Sequence, residues 1–470
     1  MSKEKQLLKN TTIVSIGKIA TQLITFFLLP IYTAVLTKEE YGIVDLLNTL
    51  VSLVFPIITL QIEQGVFRYL VDYRKDNDKQ KEVITSVISF IFKQLIVYIV
   101  IFLITSIWIN NSYKYFLAGN IVATMLTSIL LQICRGLGDN KRYSFGSFLV
   151  GASTVVLNVI FIVAFKWGAY GMLGATILAN IIAIIYISAS KKIYNYFDIK
   201  KYNKGLLKEI IKYSIPLVPN IISWWIVDAS DRSLITWILG IGQNGIYSAA
   251  NKFSNIFMTL YGVFNITWTE SAAININSKE KDEFFNKIFD FTIRFFGTLA
   301  LAIIATIPFI FSFLINETFA EAYNQIPILM IAGIFNVLVS FIGSIYVAKK
   351  VTKEIAKTSI GAAIINIIIN FALIKFIGLY AASISTVLAY MVMFIYRLID
   401  CRKYVILKVN KKLITSLLIM QIFSIVIYFS DNQILKIINV VIVYLYVMIV
   451  NRNSFRFIIE SIKNYKRKVI

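Results

Sequence analysis

The stretch ITSVISFIFKQLIVYIVIFLITSIWI, residues 84–109, carries one charged side chain, Lys93, in 26 residues. A run of this length can cross a bilayer as a helix, which needs about 20 apolar residues, whereas strands of a membrane barrel alternate over about ten. Comparable runs recur along the 470-residue chain, which is 58% apolar with a mean hydropathy of +0.74. Its charged fraction is 15%, below the ~25% of soluble domains. We therefore predict an all-α integral membrane protein.

About 14 transmembrane helices are predicted, and the basic residues provide a test of this number. The helices are placed at residues 11–36, 43–66, 84–109, 115–134, 145–165, 170–190, 211–239, 245–269, 286–314, 325–348, 359–374, 378–398, 413–430 and 434–450. With the N-terminus in the cytoplasm, 36 of the 47 Lys and Arg residues fall in inner segments and 5 in outer loops. Cytoplasmic loops of membrane proteins are enriched in Lys and Arg. The distribution therefore predicts a multi-pass protein with both termini in the cytoplasm.

An internal repeat divides the chain. A shift of 203 residues places Leu36, Gly42, Ile43 and Asn48 on Leu239, Gly245, Ile246 and Asn251. Because the copies are six helices apart, they share one orientation, and we predict two six-helix lobes related by a pseudo-two-fold axis along the membrane normal. The predicted domains are two lobes at 1–195 and 196–400, helices 13 and 14 within 401–451, and an amphipathic cytoplasmic tail at 452–470.

Polar side chains form stripes on one face of several predicted helices. The shift of 203 residues aligns the second-helix residues Asp45, Asn48 and Ser52 with Ser248, Asn251 and Asn255 of the eighth. An ionised side chain that faces lipid costs about 2.5–3.5 kcal/mol. The stripes therefore predict a hydrated cavity between the lobes, although hydroxyl and amide groups also join packed helices.

Charged residues within the spans indicate what this cavity would bind. Asp228 and Arg232 lie four residues apart in the seventh helix, and Asp290 and Arg294 repeat that spacing in the ninth. Such pairs either neutralise each other locally or line the cavity. Cations among hydroxyl and amide groups suit an anionic, sugar-rich ligand. The candidate ligand-binding residues are Lys18, Gln22, Asn48, Ser52, Arg232, Asn251, Lys252, Asn255 and Arg294.

Residue types that the sequence lacks exclude several classes of enzyme. There is no histidine, and the two cysteines, Cys134 and Cys401, form no CxxC pair. His-based triads, His-ligated metals and a paired-cysteine redox site are thereby excluded. A Walker-type phosphate-binding loop is also absent from the sequence. We expect no catalytic site, no metal and no cofactor.

Three stretches resemble one family of transporters. Residues 9–50, KNTTIVSIGKIATQLITFFLLPIYTAVLTKEEYGIVDLLNTL, are similar to the start of Wzx-type polysaccharide flippases. Residues 214–257, SIPLVPNIISWWIVDASDRSLITWILGIGQNGIYSAANKFSNIF, resemble their seventh and eighth helices, and residues 135–144, RGLGDNKRYS, a short inner loop. These flippases belong to the multidrug/oligosaccharidyl-lipid/polysaccharide (MOP) exporter superfamily.

This resemblance implies a two-lobed transporter in the bacterial cytoplasmic membrane. It would move an undecaprenyl-pyrophosphate-linked oligosaccharide from the inner to the outer leaflet by alternating access, for capsule or exopolysaccharide synthesis. The resemblance further implies a cationic cavity in which Lys18, Arg232 and Lys252 contact pyrophosphate or acidic sugars. The candidates for proton or cation coupling are Asp45, Glu63, Asp228 and Asp231.

The expected partners are the lipid-linked oligosaccharide, membrane lipids and the polysaccharide polymerase machinery, and not nucleic acid. A drug or metabolite cation antiporter of the same superfamily is one alternative function. A membrane polysaccharide polymerase is a weaker one, because its chemistry would need a larger outer loop than residues 315–324, whose only acidic residues are Glu317 and Glu321.

Overall fold

The computed structural model describes residues 26–349 and 351–452, except the side chains of Asn220, Trp224, Val227, Asp228 and Thr352. These residues form helices and contain no β-strand, which confirms the predicted all-α class. The α-helices are α1 (Leu29–Val35), α2 (Lys38–Thr59), α3 (Ile62–Asp72), α4 (Asn77–Ser106), α5 (Tyr113–Gly136), α6 (Asn140–Asn158), α7 (Gly168–Lys191), α8 (Lys204–Ser214), α9 (Leu217–Ile238), α10 (Ile241–Asn275), α11 (Lys281–Leu314), α12 (Ala322–Ala348), α13 (Thr352–Ile377), α14 (Leu379–Asp400), α15 (Lys411–Tyr428) and α16 (Gln433–Val450). Of the predicted cytoplasmic tail, residues 453–470 lie outside this description.

Eleven helices within the described ranges are long and apolar enough to cross a membrane, namely α2, α4–α7 and α11–α16. They coincide with eleven of the predicted spans, so the protein is a multi-pass membrane protein. The other three predicted spans are α9, α10 and residues 11–36, which are described only from residue 26 onward. The number of fourteen therefore remains a prediction.

Two of the predicted spans are interrupted. The expected helix at 43–66 ends at Thr59, and Leu60 and Gln61 both adopt left-handed conformations (φ 51° and 56°) before α3 begins. The expected helix at 211–239 is likewise divided into α8 and α9 near Pro216, which follows the C-cap residue Ile215. Proline has no backbone N–H to continue a helix, which accounts for the second break.

Polar caps determine where several helices start. At α2, the Thr37 hydroxyl accepts a hydrogen bond from the Glu40 N–H, while the Glu40 carboxylate accepts one from the Thr37 N–H. This reciprocal arrangement satisfies N–H groups that the first turn of a helix leaves free. The second oxygen of Glu40 accepts from the backbone N–H of Ala169, 3.3 Å away, and thereby joins α2 to the start of α7.

The chain divides into two compact units within α10, between Ser248 and Ala249. The core of the first unit includes Ile62, Met125 and Ile210, contributed by α3, α5 and α8. In the second unit the indole of Trp268 stacks on Phe341 at 4.2 Å and donates to its carbonyl at 3.1 Å. The predicted lobe boundary at residue 195 remains a prediction.

Buried amides join α16 to α11 and to α15. Asn451, directly after α16, donates to the Thr298 hydroxyl at 2.9 Å, and Asn439 donates to the Ser424 hydroxyl at 3.0 Å. The helices α15 and α16 correspond to the predicted helices 13 and 14. Their other faces expose side chains such as Ile422 and Ile449, at 64% and 73%, as expected of surfaces that contact lipid.

Candidate functional site

The first unit contains a close crossing between α2 and the start of α10, at two glycines. A Cβ atom on Gly42 would lie 2.1 Å from the carbonyl oxygen of Ile241, and one on Gly245 would lie 2.0 Å from that of Lys38. The same shift of 203 residues that aligns Gly42 with Gly245 also aligns Lys38 with Ile241. The two contacts are therefore equivalent in the repeat, and only glycine permits either of them.

Polar contacts continue from this crossing along one face of α2. The Asn244 amide donates to the Gly42 carbonyl at 3.0 Å. One turn further, Arg232 Nε of α9 lies 3.0 Å from Asp45 Oδ2, and both side chains are 17% exposed. The Trp225 indole N–H of α9 donates to the Thr49 carbonyl at 2.9 Å. We call this set of contacts of α2 with α9 and residues 241–245 the α2 seam.

Residues of the predicted polar stripe on α2 contact neighbouring helices. Asp45 contacts Arg232, so the arginine pairs with a carboxylate on another helix. Ser52 is exposed but accepts from Trp225 at 3.1 Å, and Asn48, also exposed, accepts from Asn120 at 3.2 Å. The stripe thus joins packed helices, which was the alternative to lining a hydrated cavity. Asn48 and Ser52 nevertheless stay accessible.

Glu63 is buried at the break between α2 and α3. Its side chain is 2% exposed, and no hydrogen-bond partner for its Oε2 lies in the part of the chain that the structure describes. It stands in the first turn of α3, beside the apolar core around Ile62 and Val66. Burial raises the pKa of the Glu63 carboxyl, because removing a charged carboxylate from water outweighs the hydrogen bonds it accepts from the Thr59 side chain and its own backbone N–H. The site is suited to holding and releasing a proton.

The remaining predicted residues fall into three groups. Lys18, Gln22 and the side chain of Asp228 lie outside the described part of the protein. Asp231 is buried and accepts a hydrogen bond from the Tyr247 hydroxyl at 3.2 Å. On the part of α10 in the second unit, Asn251 and Lys252 are half-buried and Asn255 is exposed.

Arg294, in the second unit, has a local partner. Its guanidinium pairs with Asp290 one turn earlier on α11, and the amide of Asn410 donates to the same carboxylate at 3.1 Å. Of the two alternatives that the i, i+4 spacing allowed, local neutralisation and lining of the cavity, this contact is local neutralisation. The contact also fixes the start of α15 against α11, because Asn410 caps α15.

Sequence reasoning did not single out Arg397, which lies at the end of the predicted span 378–398. The side chain is fully buried within α14; it donates to the Val339 carbonyl at 3.0 Å and the Thr358 hydroxyl at 2.8 Å. A Cβ on Gly343 would lie 3.2 Å from its Nη1, so this glycine leaves room for the guanidinium. Arg397 therefore connects α12, α13 and α14. Arginines near helix ends commonly set the topology of membrane proteins, and nothing else in the sequence distinguishes Arg397 from them.

The fold is that of MOP-superfamily transporters. A structure titled lipid II flippase MurJ, inward closed conformation, is similar with a TM-score of 0.68 and 16% identity, covering 96% of this chain and 98% of that one. An inward-facing multidrug resistance MATE family transporter of the MOP superfamily is similar with a TM-score of 0.62 and 14% identity. The match covers 83% of this chain and 98% of the transporter. A third structure is a MOP superfamily transporter from Pyrococcus furiosus, described as having a binding pocket of reverse polarity. Its TM-score is 0.55 with 14% identity, and the match covers 84% of this chain and 96% of that one.

The sequence itself matches a family. No curated protein matches it in a sequence search. The family described as "Polysaccharide biosynthesis protein", however, matches residues 7–269, which is more than half of the 470 residues. Together with the fold, this match confirms the resemblance to polysaccharide flippases drawn from the sequence. The chain belongs to the polysaccharide biosynthesis protein family and has the fold of MOP-superfamily transporters.

Proposed function

We propose that this protein flips an undecaprenyl-pyrophosphate-linked oligosaccharide from the inner to the outer leaflet of a bacterial cytoplasmic membrane, with both termini in the cytoplasm. The observation that carries the proposal is the family match over residues 7–269. The glycan would be a repeat unit for a cell-surface polysaccharide such as capsule or exopolysaccharide. The polymerase machinery that consumes such units on the outer side would be its functional partner.

The α2 seam supports transport by alternating access. Such transport needs a contact that closes one side of the pathway and then separates. The seam joins helices through backbone contact at two glycines, one ion pair and side-chain hydrogen bonds, which are contacts that can separate and form again. In the predicted topology Gly42 follows an outer loop, so the seam would close the outer side.

The proposed ligand contacts follow from the charges along the pathway. Lys18, Arg232 and Lys252 are proposed to contact the pyrophosphate or acidic sugars. Arg232 faces Asp45 at 3.0 Å, so an arriving anion would compete with that carboxylate for the guanidinium. Opening of the α2 seam and binding of the headgroup would then be linked.

Glu63 is the coupling candidate that the geometry supports best. It is buried without an ion-pair partner among the described residues, and it stands beside two left-handed residues, Leu60 and Gln61. Strained backbone of this kind is costly unless the surrounding structure holds it, and it often marks a switch region. We propose that loss of the Glu63 proton shifts the helix break. Asp45, Asp228 and Asp231 remain further candidates.

Deletion followed by lipid analysis tests the proposal. Undecaprenyl-linked repeat units should accumulate on the inner leaflet, and expression of the wild-type chain should remove them. Sensitivity to cationic drugs without lipid accumulation would instead indicate the antiporter.

A double Lys18→Ala and Lys252→Ala variant tests the cationic contacts in the same strain. It should reach the membrane at normal levels but fail to restore export. Lys375→Ala, at an exposed position of α13, is the matched control and should restore it. Full export by the double variant would reject the role of the two lysines.

A further inference from the structure

The linker between α7 and α8, residues 192–203, exposes large apolar side chains. Tyr194 is 67% exposed, Phe197 41% and Ile199 66%. Exposed lysines, Lys192 and Lys200, are interspersed with them. A cluster of such apolar side chains is unusual on a surface that faces only water, and it marks a surface that contacts another phase or molecule.

The linker is held in place, so this exposure does not come from a loose loop. The backbone N–H of Asp198 donates to the Thr85 hydroxyl of α4 at 3.0 Å, and that of Asn203 donates to the Ser86 hydroxyl at 2.9 Å. Between the exposed side chains, Ile193 is buried, at 7% exposure. The apolar side chains could turn inward only if these contacts broke.

The contacts with α4 also define the height of the linker relative to the apolar surface. From Phe92, which is 58% exposed, to Ile104, at 51%, α4 presents a nearly continuous face of apolar side chains. Ser86 precedes Phe92 by six residues, or roughly 9 Å at 1.5 Å per residue. The ammonium of Lys93 lies 5.4 Å from the ring centroid of Tyr202 in the linker. The linker therefore runs level with the edge of the apolar face, where lipid headgroups would lie.

Positive charge on this surface is left without partners. The acidic residues at the start of α4 are already bound, since Asp78 pairs with Lys201 and Glu82 accepts from Asn203. Within the described chain, five exposed lysines in and after the linker make no ion pair: Lys192, Lys200, Lys204, Lys208 and Lys212. Unpaired lysines next to a bilayer attract anionic headgroups.

We infer that the linker is a docking surface for anionic phospholipid on the cytoplasmic leaflet, with Tyr194, Phe197 and Ile199 inserted at the headgroup level. Apolar side chains among lysines are the combination by which surface segments bind anionic membranes. The inference does not depend on which molecule the protein transports. It concerns a surface distinct from the α2 seam and its charges.

A fluorescent probe on the linker tests this inference. The full chain carrying Ile199→Cys, labelled with a polarity-sensitive fluorophore, is placed in nanodiscs of phosphatidylcholine with or without phosphatidylglycerol. Cys134 and Cys401 are buried and should not be labelled. Asn77→Cys, exposed at the first residue of α4, is the matched control, because it lies 15 residues before Phe92 and so roughly 22 Å away along the helix.

Lipids carrying a quencher near the headgroup should quench the probe at position 199 and not at 77, and phosphatidylglycerol should increase the effect. Replacing Lys200, Lys204 and Lys208 by Gln should lower the preference for phosphatidylglycerol by about fivefold per lysine. A probe at 199 that aqueous iodide quenches as strongly as at 77 would overturn the inference and indicate a surface for a soluble partner. Equal quenching in nanodiscs with and without phosphatidylglycerol, unchanged by the Gln variant, would overturn the inferred preference for anionic lipid.

Discussion

Replacing Gly42 with alanine should open the α2 seam. The new methyl group would lie 2.1 Å from the Ile241 carbonyl oxygen and 2.9 Å from the Gly245 nitrogen. A carbon atom approaches a carbonyl oxygen to about 3.3 Å, so the helices would have to separate by about 1.2 Å. Overpacking of this kind costs about 1–3 kcal/mol. A middle value of ~2 kcal/mol changes the ratio of closed to open seam about thirtyfold.

Thiol labelling measures this change. Thr49, whose carbonyl belongs to the α2 seam, is 4% exposed, and a Thr49→Cys variant should react slowly with a membrane-impermeant reagent. Adding Gly42→Ala should raise the labelling rate by up to about thirtyfold, following the ratio of open to closed seam. Gly262→Ala is the control, because a Cβ there meets nothing within 4 Å. Unchanged labelling with Gly42→Ala would refute the assignment of the glycine crossing as the closing contact.

Three further predictions concern charged side chains. Because burial raises the pKa of Glu63, its neutral form stabilises the fold below the usual glutamate pKa, and this contribution is lost as pH rises through the raised value; in thermal unfolding, the stability that Glu63→Gln gains over wild type should be larger at pH 8 than at pH 4. Arg397→Met should lower the unfolding free energy by about 1–3 kcal/mol, since it leaves buried acceptors without donors, whereas the exposed Arg402→Met should not. Asp45→Arg and Arg232→Asp should each impair export, and the double variant should recover part of it; an additive loss would argue against their pairing.

Local sequence rules accounted for the class of fold and for much of the repeat. Apolar run length and the distribution of lysine and arginine are properties of neighbouring residues, and they located the eleven spans that the structure bears out. The shift of 203 residues aligned Gly42 with Gly245 before any contact between them was known. Helical spacing also placed Asp45 and Ser52 on one face of α2.

The tertiary structure decided what those faces meet. Spacing offered Arg232 a partner one turn away on its own helix, but its 3.0 Å contact with Asp45 depends on how α2 packs on α9. Leu60 and Gln61 are ordinary residues in a left-handed conformation, and no local preference predicts that break or the burial of Glu63 after it. The sequence did not single out Arg397 because its acceptors, such as Val339 and Thr358, are distant in sequence and meet it only when three helices pack. Periodicity assigns a residue to a face of its helix, and only packing determines which helix, core or lipid that face contacts.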